Sequence, residues 1–193
     1  MTDSPTRRAF LETSGTVLSG AWLSVHLPAI RAAATCARRA FARGAGFVVL
    51  TPDEARELDA VAARIIPTDD TPGAREAGVI YFIDQALATF AQPMLQPLRG
   101  GLADLRQAVH ASSPTAASFS ALGADDQDAV LRTLEKSAFF GAVRFLTVAG
   151  MFGDPSHGGN RDEIGWKLLA FGGAHAYVPP FGYYDREYHE QGG

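Results

Sequence analysis

Residues 137–153 read SAFFGAVRFLTVAGMFG and carry a single charge, Arg144. A helix that is apolar around its whole circumference has no face to offer water, so it must lie among other helices or against another chain. The stretch has 17 residues and is interrupted by glycine. It is therefore too short for a membrane span, which needs about 20 apolar residues. The rest of the chain has to supply the cover. Its 193 residues, 47% hydrophobic and 20% charged, suffice for one domain with a real core.

The covering elements read as helices. In LTPDEARELDAVAARIIPTDDTPGA, Thr51 is placed to cap a helix, Pro52 suits its first position, and Glu54 completes a capping box. Leu58, Val61, Ala62 and Ile65 then share one face, and Pro67 ends the run before a turn-rich Asp69-Asp70-Thr71-Pro72-Gly73 loop. A second helix is expected from about Glu76 to Phe90. Pro93 and Pro97 should interrupt the next segment, and Leu98, Leu102, Leu105 and Val109 mark a third helix. The fourth starts at Asp125 to Gln127, with acids near its positive end, and runs on into the apolar stretch. The expectation is an all-α, compact, multi-helix single domain with extended loops and an aromatic, irregular tail, VPPFGYYDREYHEQGG. The chain divides into a leader at 1–34, a linker at 35–49 and the helical domain at 50–193.

The leader has its own logic. Arg7 and Arg8 precede Phe10 and Leu11, a weakly apolar stretch continues to Ile30, and Ala32-Ala33-Ala34 closes it. That is the n-region, h-region and A-x-A order of an export signal, and the paired arginines match the twin-arginine type. Twin-arginine export moves proteins that are already folded, so the expected destination is the periplasm. The chain has one cysteine, Cys36, and so cannot form an internal disulfide. A net charge of −4, with scattered arginines, argues against a nucleic-acid partner.

Residues 153–173, GDPSHGGNRDEIGWKLLAFGG, are dense in reactive side chains. Their spacing fits neither a dinucleotide-binding nor a P-loop signature, because no strand precedes the glycines and no Gly-Lys-Ser/Thr succeeds them. No Gly-x-Ser-x-Gly elbow or Cys-x-x-Cys-His haem site occurs in the chain. Asp154, His157 and His175 are the candidate metal ligands, which keeps open a self-sufficient exported metal-dependent enzyme or a small binding protein. The structural alternative makes Asn160 an N-cap, with Glu163 closing the box. Ile164, Leu168 and Phe171 then form a helix face widened by Trp166 and Leu169, and Gly172-Gly173 provide the stop. Gly165 inside that helix implies close packing.

The leader, the block LTPDEARELDAVAARIIPTDDTPGAREAGV and the block MFGDPSHGGNRDEIGWKLLAFGG together resemble the gluconate 2-dehydrogenase subunit 3 family. The resemblance covers about Leu50 to Gly173. It implies a small gamma subunit that is not itself catalytic and holds no cofactor. FAD is expected on a large flavoprotein dehydrogenase partner and haem c on a multihaem cytochrome subunit. The small subunit's expected duty is to supply the export signal, to assist maturation of the flavoprotein, and to remain membrane-associated through the complex. Aromatic residues and arginine are the usual interface anchors. Phe152, His157, Asn160, Arg161 and Trp166, with Phe181, Tyr183 and Tyr184 of the tail, are accordingly the candidate partner-binding residues.

Overall fold

The computed structural model describes residues 46–155 and 158–172, and these residues form an all-α domain. The first helix, α1 (Pro52–Ile65), begins as its sequence dictates. The Thr51 hydroxyl accepts from the Glu54 amide at 3.2 Å, and the Glu54 carboxylate accepts from the Thr51 amide at 2.9 Å. Leu58, Val61 and Ala62 are buried on its inner face.

The second helix, α2 (Val79–Ala88), starts three residues later than the periodicity suggests. Glu76 is not helical because its carboxylate turns back to accept from the Thr68 hydroxyl at 2.7 Å and the Gly73 amide at 2.9 Å. Gly78 then takes a left-handed conformation, φ 67°, at the cap. Nearly every side of α2 is buried, including Asp84 and Gln85.

A short 3-10 turn, Gln92–Met94, leads into α3 (Leu95–Ser112). Pro97 does not interrupt this segment, contrary to the sequence expectation. It occupies the first turn of α3, where its missing N–H had no partner to lose. A second 3-10 turn, Phe119–Ala121, precedes α4 (Ala124–Leu134), whose first turn carries Asp125 and Asp126.

The continuous fourth helix expected from the sequence is two helices. After α4 the chain turns at Glu135-Lys136-Ser137, and α5 (Ala138–Phe152) begins afresh. Ser137 causes the break. Its hydroxyl donates to the Leu134 carbonyl at 2.7 Å and accepts from the Phe140 amide at 3.1 Å, which closes one helix and caps the next. The apolar α5 is the pillar of the domain and packs against each of α1, α2, α3 and α4, and also against the short α6 (Ile164–Leu168). Glycine makes its close approach to α3 possible: a Cβ on Gly101 of α3 would stand 2.3 Å from the Phe139 ring. Arg64 and Asp128 tie α1 to α4 through a two-pronged pair at 2.7 and 2.8 Å.

Candidate functional site

The segment after α5 folds back over that helix's C-terminus, where the last carbonyls have no partners within the helix. Two side chains from further along the chain meet them. The Asn160 amide nitrogen donates to the Gly153 carbonyl at 2.8 Å, and the Trp166 indole N–H donates to the Phe152 carbonyl at 3.0 Å. The Asn160 oxygen accepts from the Gly165 amide at 2.7 Å, an unpaired donor in the first turn of α6. One fully buried carboxamide thus joins the end of α5 to the start of α6.

This corrects the capping-box expectation. Asn160 does satisfy a helix amide, but it sits in a left-handed conformation, φ 45°, ahead of a 3-10 turn at Arg161–Glu163, and its oxygen serves Gly165 rather than Glu163. The reason is that the carboxamide must reach both helices at once. As a partner contact it is likewise corrected: Asn160 is 0% exposed, so its duty is internal.

The glycines are required by proximity. A Cβ on Gly159 would lie 2.0 Å from the Gly150 carbonyl oxygen, and one on Gly165 would lie 2.0 Å from that of Met151. Both distances are impossible for a side-chain carbon, so only glycine lets this segment lie on α5. The close packing implied by Gly165 is therefore present. The expected glycine stop is not. Helix α6 ends at Leu168, Ala170 takes the left-handed conformation at φ 53°, and Phe171 lies beyond the helix with 41% of its surface exposed.

Strain is concentrated here. Asn160, Asp162, Glu163 and Ala170 all have positive φ, and no other described non-glycine residue does. Such conformations cost on the order of 1–2 kcal/mol each for ordinary residues. They persist because the surrounding bonds fix them. Among these bonds is a 2.6 Å hydrogen bond from the Lys167 ammonium to the Asp162 carbonyl.

The turn after α1 is built in the same manner. Asp69 accepts from the amide and hydroxyl of Thr71, both at 2.9 Å. The Thr68 hydroxyl and the Gly73 amide hold the Glu76 carboxyl below its ordinary range against the effect of burial. A Cβ on Gly73 would stand 2.6 Å from the Ile66 carbonyl oxygen. Although 84 residues separate them, the two segments join: the Arg161 amide donates to the Ala77 carbonyl at 3.1 Å. No spacing in the sequence reveals that contact. Their shared richness in Gly, Asp and Thr or Asn was the available signal.

Of the candidate contact residues, Arg161 is exposed, while Phe152 and Trp166 are half-buried. Trp166 stacks edge-on against Phe171, with ring centroids 5.2 Å apart. Leu169 is 47% exposed beside them. The periodicity predicts that Leu169 and Phe171 belong to a helix face, yet they form an exposed apolar edge. The chain leaves the helix at residue 168 and carries both outward. Arg7, Arg8, Phe10, Leu11, Cys36, His157, His175, Phe181, Tyr183 and Tyr184 lie outside the described residues. Of the candidate metal ligands only Asp154 is described. Among the described residues, no helix is long and apolar enough to cross a membrane.

Fold and site together define a helical domain whose two motif-rich segments fold onto the helix ends and are bonded to each other. The family model for gluconate 2-dehydrogenase subunit 3 matches residues 52–173, a span that contains both segments. The chain belongs to this family, whose members are subunits of a dehydrogenase complex. No curated protein and no solved structure gives a significant match to it.

Proposed function

We propose that this chain is the non-catalytic small (gamma) subunit of a periplasmic, membrane-associated, FAD-dependent sugar or sugar-acid dehydrogenase. In this reading the flavoprotein partner oxidises the substrate and a multihaem cytochrome c accepts the electrons. The small subunit supplies the twin-arginine signal through Arg7, Arg8, Phe10 and Leu11, and assists maturation, export and stability of the flavoprotein. The observation that carries the reading is where the motif's polar atoms go. The Asn160 carboxamide, the Trp166 indole and the Lys167 ammonium all end on backbone groups of this chain. Those groups build a shape.

What the shape presents is the apolar edge of Trp166, Leu169 and Phe171, with Arg161 exposed on the turn before α6. With Phe152, His157, Phe181, Tyr183 and Tyr184, it is the proposed face for the flavoprotein. The test is co-expression with the flavoprotein and fractionation of the host. Arg7→Lys with Arg8→Lys leaves the flavoprotein in the cytoplasm. A flavoprotein that still reaches the periplasm would rule out the carrier role. Stoichiometric metal in the isolated chain, together with an activity lost in His157→Ala, would favour an enzyme centred on Asp154, His157 and His175 instead.

A further inference from the structure

Residues 47–51, where the N-terminal segment joins the domain, are gripped on both edges of their backbone. On the donor edge, the amides of Val48, Val49 and Leu50 donate to the Asp84 carboxylate of α2 at 2.7, 3.0 and 3.0 Å. On the acceptor edge, the Val49 carbonyl accepts from the Arg99 guanidinium of α3 at 3.0 Å. Arg99 also pairs with Glu54 at 2.7 Å, and the Phe47 ring stacks on Tyr81 at 5.5 Å. Starting α1 requires only the Thr51–Glu54 box. Holding residues 47–50 is an additional arrangement, made by α2 and α3.

Asp84 is 2% exposed. A carboxylate buried this deeply is destabilising unless its oxygens are filled with donors. The donors it receives are the backbone amides of the chain's own entry segment. The receptor, moreover, is assembled from residues 81–99, so it exists only after α2 and α3 have packed. We infer that Asp84 and Arg99 form a folding-gated latch, which fixes the end of the linker that follows the leader only once the core is built. The inference rests on the export reading above. It adds to that reading a way for the leader's attachment to report the folded state, which suits a route that carries folded cargo.

The experiment uses the full chain and two variants. Val48→Pro removes one latch donor at a residue that is 60% exposed, and Asp84→Asn replaces one acceptor oxygen with a donor group. Amide exchange at Val49 and Leu50, the melting temperature, and the fraction of chain reaching the periplasm through the twin-arginine route are read together. Hydrogen bonds to a charged group are each worth about 1.5–3 kcal/mol, so exchange should quicken about tenfold or more in Val48→Pro. Its melting temperature should fall by only the few degrees that one such bond is worth, while its periplasmic fraction falls below that of a variant destabilised equally at a site away from residues 47–51. If Asp84→Asn does not fold, Val48→Pro carries the test. Unchanged exchange at Val49 and Leu50 overturns the latch. Faster exchange with undiminished export overturns the gating and leaves a simple clamp. Export that survives Arg7→Lys with Arg8→Lys defeats the export reading itself, and the gating with it, while the exchange data still judge the clamp.

Discussion

The entry segment at 47–51 and the segment at 158–168 both bind the helical core, yet different chemistries hold them. Carboxylates and a guanidinium grip the entry segment: Asp84, Glu54 and Arg99. The later segment is held by a neutral carboxamide, an indole and two glycines that lie against carbonyl oxygens. The first is an electrostatic attachment, built on charged side chains, in which the Glu54 carboxyl is held below its ordinary value. The second is chiefly a steric fit, intolerant of a single added carbon, with the exposed Lys167 ammonium on the Asp162 carbonyl as a charged contribution.

The largest effect that would break this contrast concerns the glycines. Gly165→Ala and Gly159→Ala each force a Cβ to within 2.0 Å of a helix carbonyl oxygen. Each should lower stability by about 3 kcal/mol or more in denaturant titration, the upper range for overpacking. Gly100→Ala is the control: its Cβ meets nothing within 4 Å on α3. That change should raise stability by about 0.5–1 kcal/mol. Similar values for all three would show that the later segment is not sterically fitted.

Asn160→Ala comes next. It orphans the Gly165 amide and the Gly153 carbonyl together, and should cost about 2–3 kcal/mol. The loss should be the same at low and high salt. A strong salt dependence would show that the neighbouring Arg161, Asp162 and Lys167, rather than the carboxamide, hold the segment.

The smallest effect is the response to acid, and it has two signs within α1. Burial opposes ionisation of Glu54, but the hydrogen bonds from Arg99 and Thr51 outweigh it and hold the carboxyl below its ordinary 4.5. A lowered folded-state pKa means that Glu54 contributes stability at pH values above 4.5, lost as pH falls through the lowered value. Asp59 runs the other way. Burial raises its pKa despite Arg75, so the folded state takes up that proton first and gains as pH falls. A melting curve mixes the two, so the readout is amide exchange by residue. Below pH 4.5 protection at the Thr51 amide should fall while that of Gly165 holds. Equal loss at both sites would erase the distinction between the two attachments.

The same contrast explains how legible each attachment was. The Thr51–Glu54 box, the inner face of α1 and the buried α5 could be read because each depends on residues within one or two turns of each other. The break at Ser137 was hidden by the apolar residues on either side, although serine before a helical run is itself a cap signal. That Asn160 serves a helix amide is legible from its residue type. Its second bond, to Gly153, could not be read, because it depends on α5 ending where α6 begins. The grip of Asp84 on residues 34 to 36 positions earlier left no local trace at all. Glycines at 159 and 165 signalled close approach without saying to what.

The bonds that finish α5 have a consequence for the order in which the protein is made. The pillar helix is complete in sequence at Phe152, yet its terminal carbonyls receive their partners from Asn160 and Trp166. A ribosome adds residues at about 5–20 per second, and domains settle as their parts emerge. The central helix therefore waits on residues synthesised after it. A chain halted between 152 and 166 has every major helix and every buried core hydrophobic, yet leaves α5 without its terminal partners, so truncations stepped through that interval should show how far those bonds limit folding.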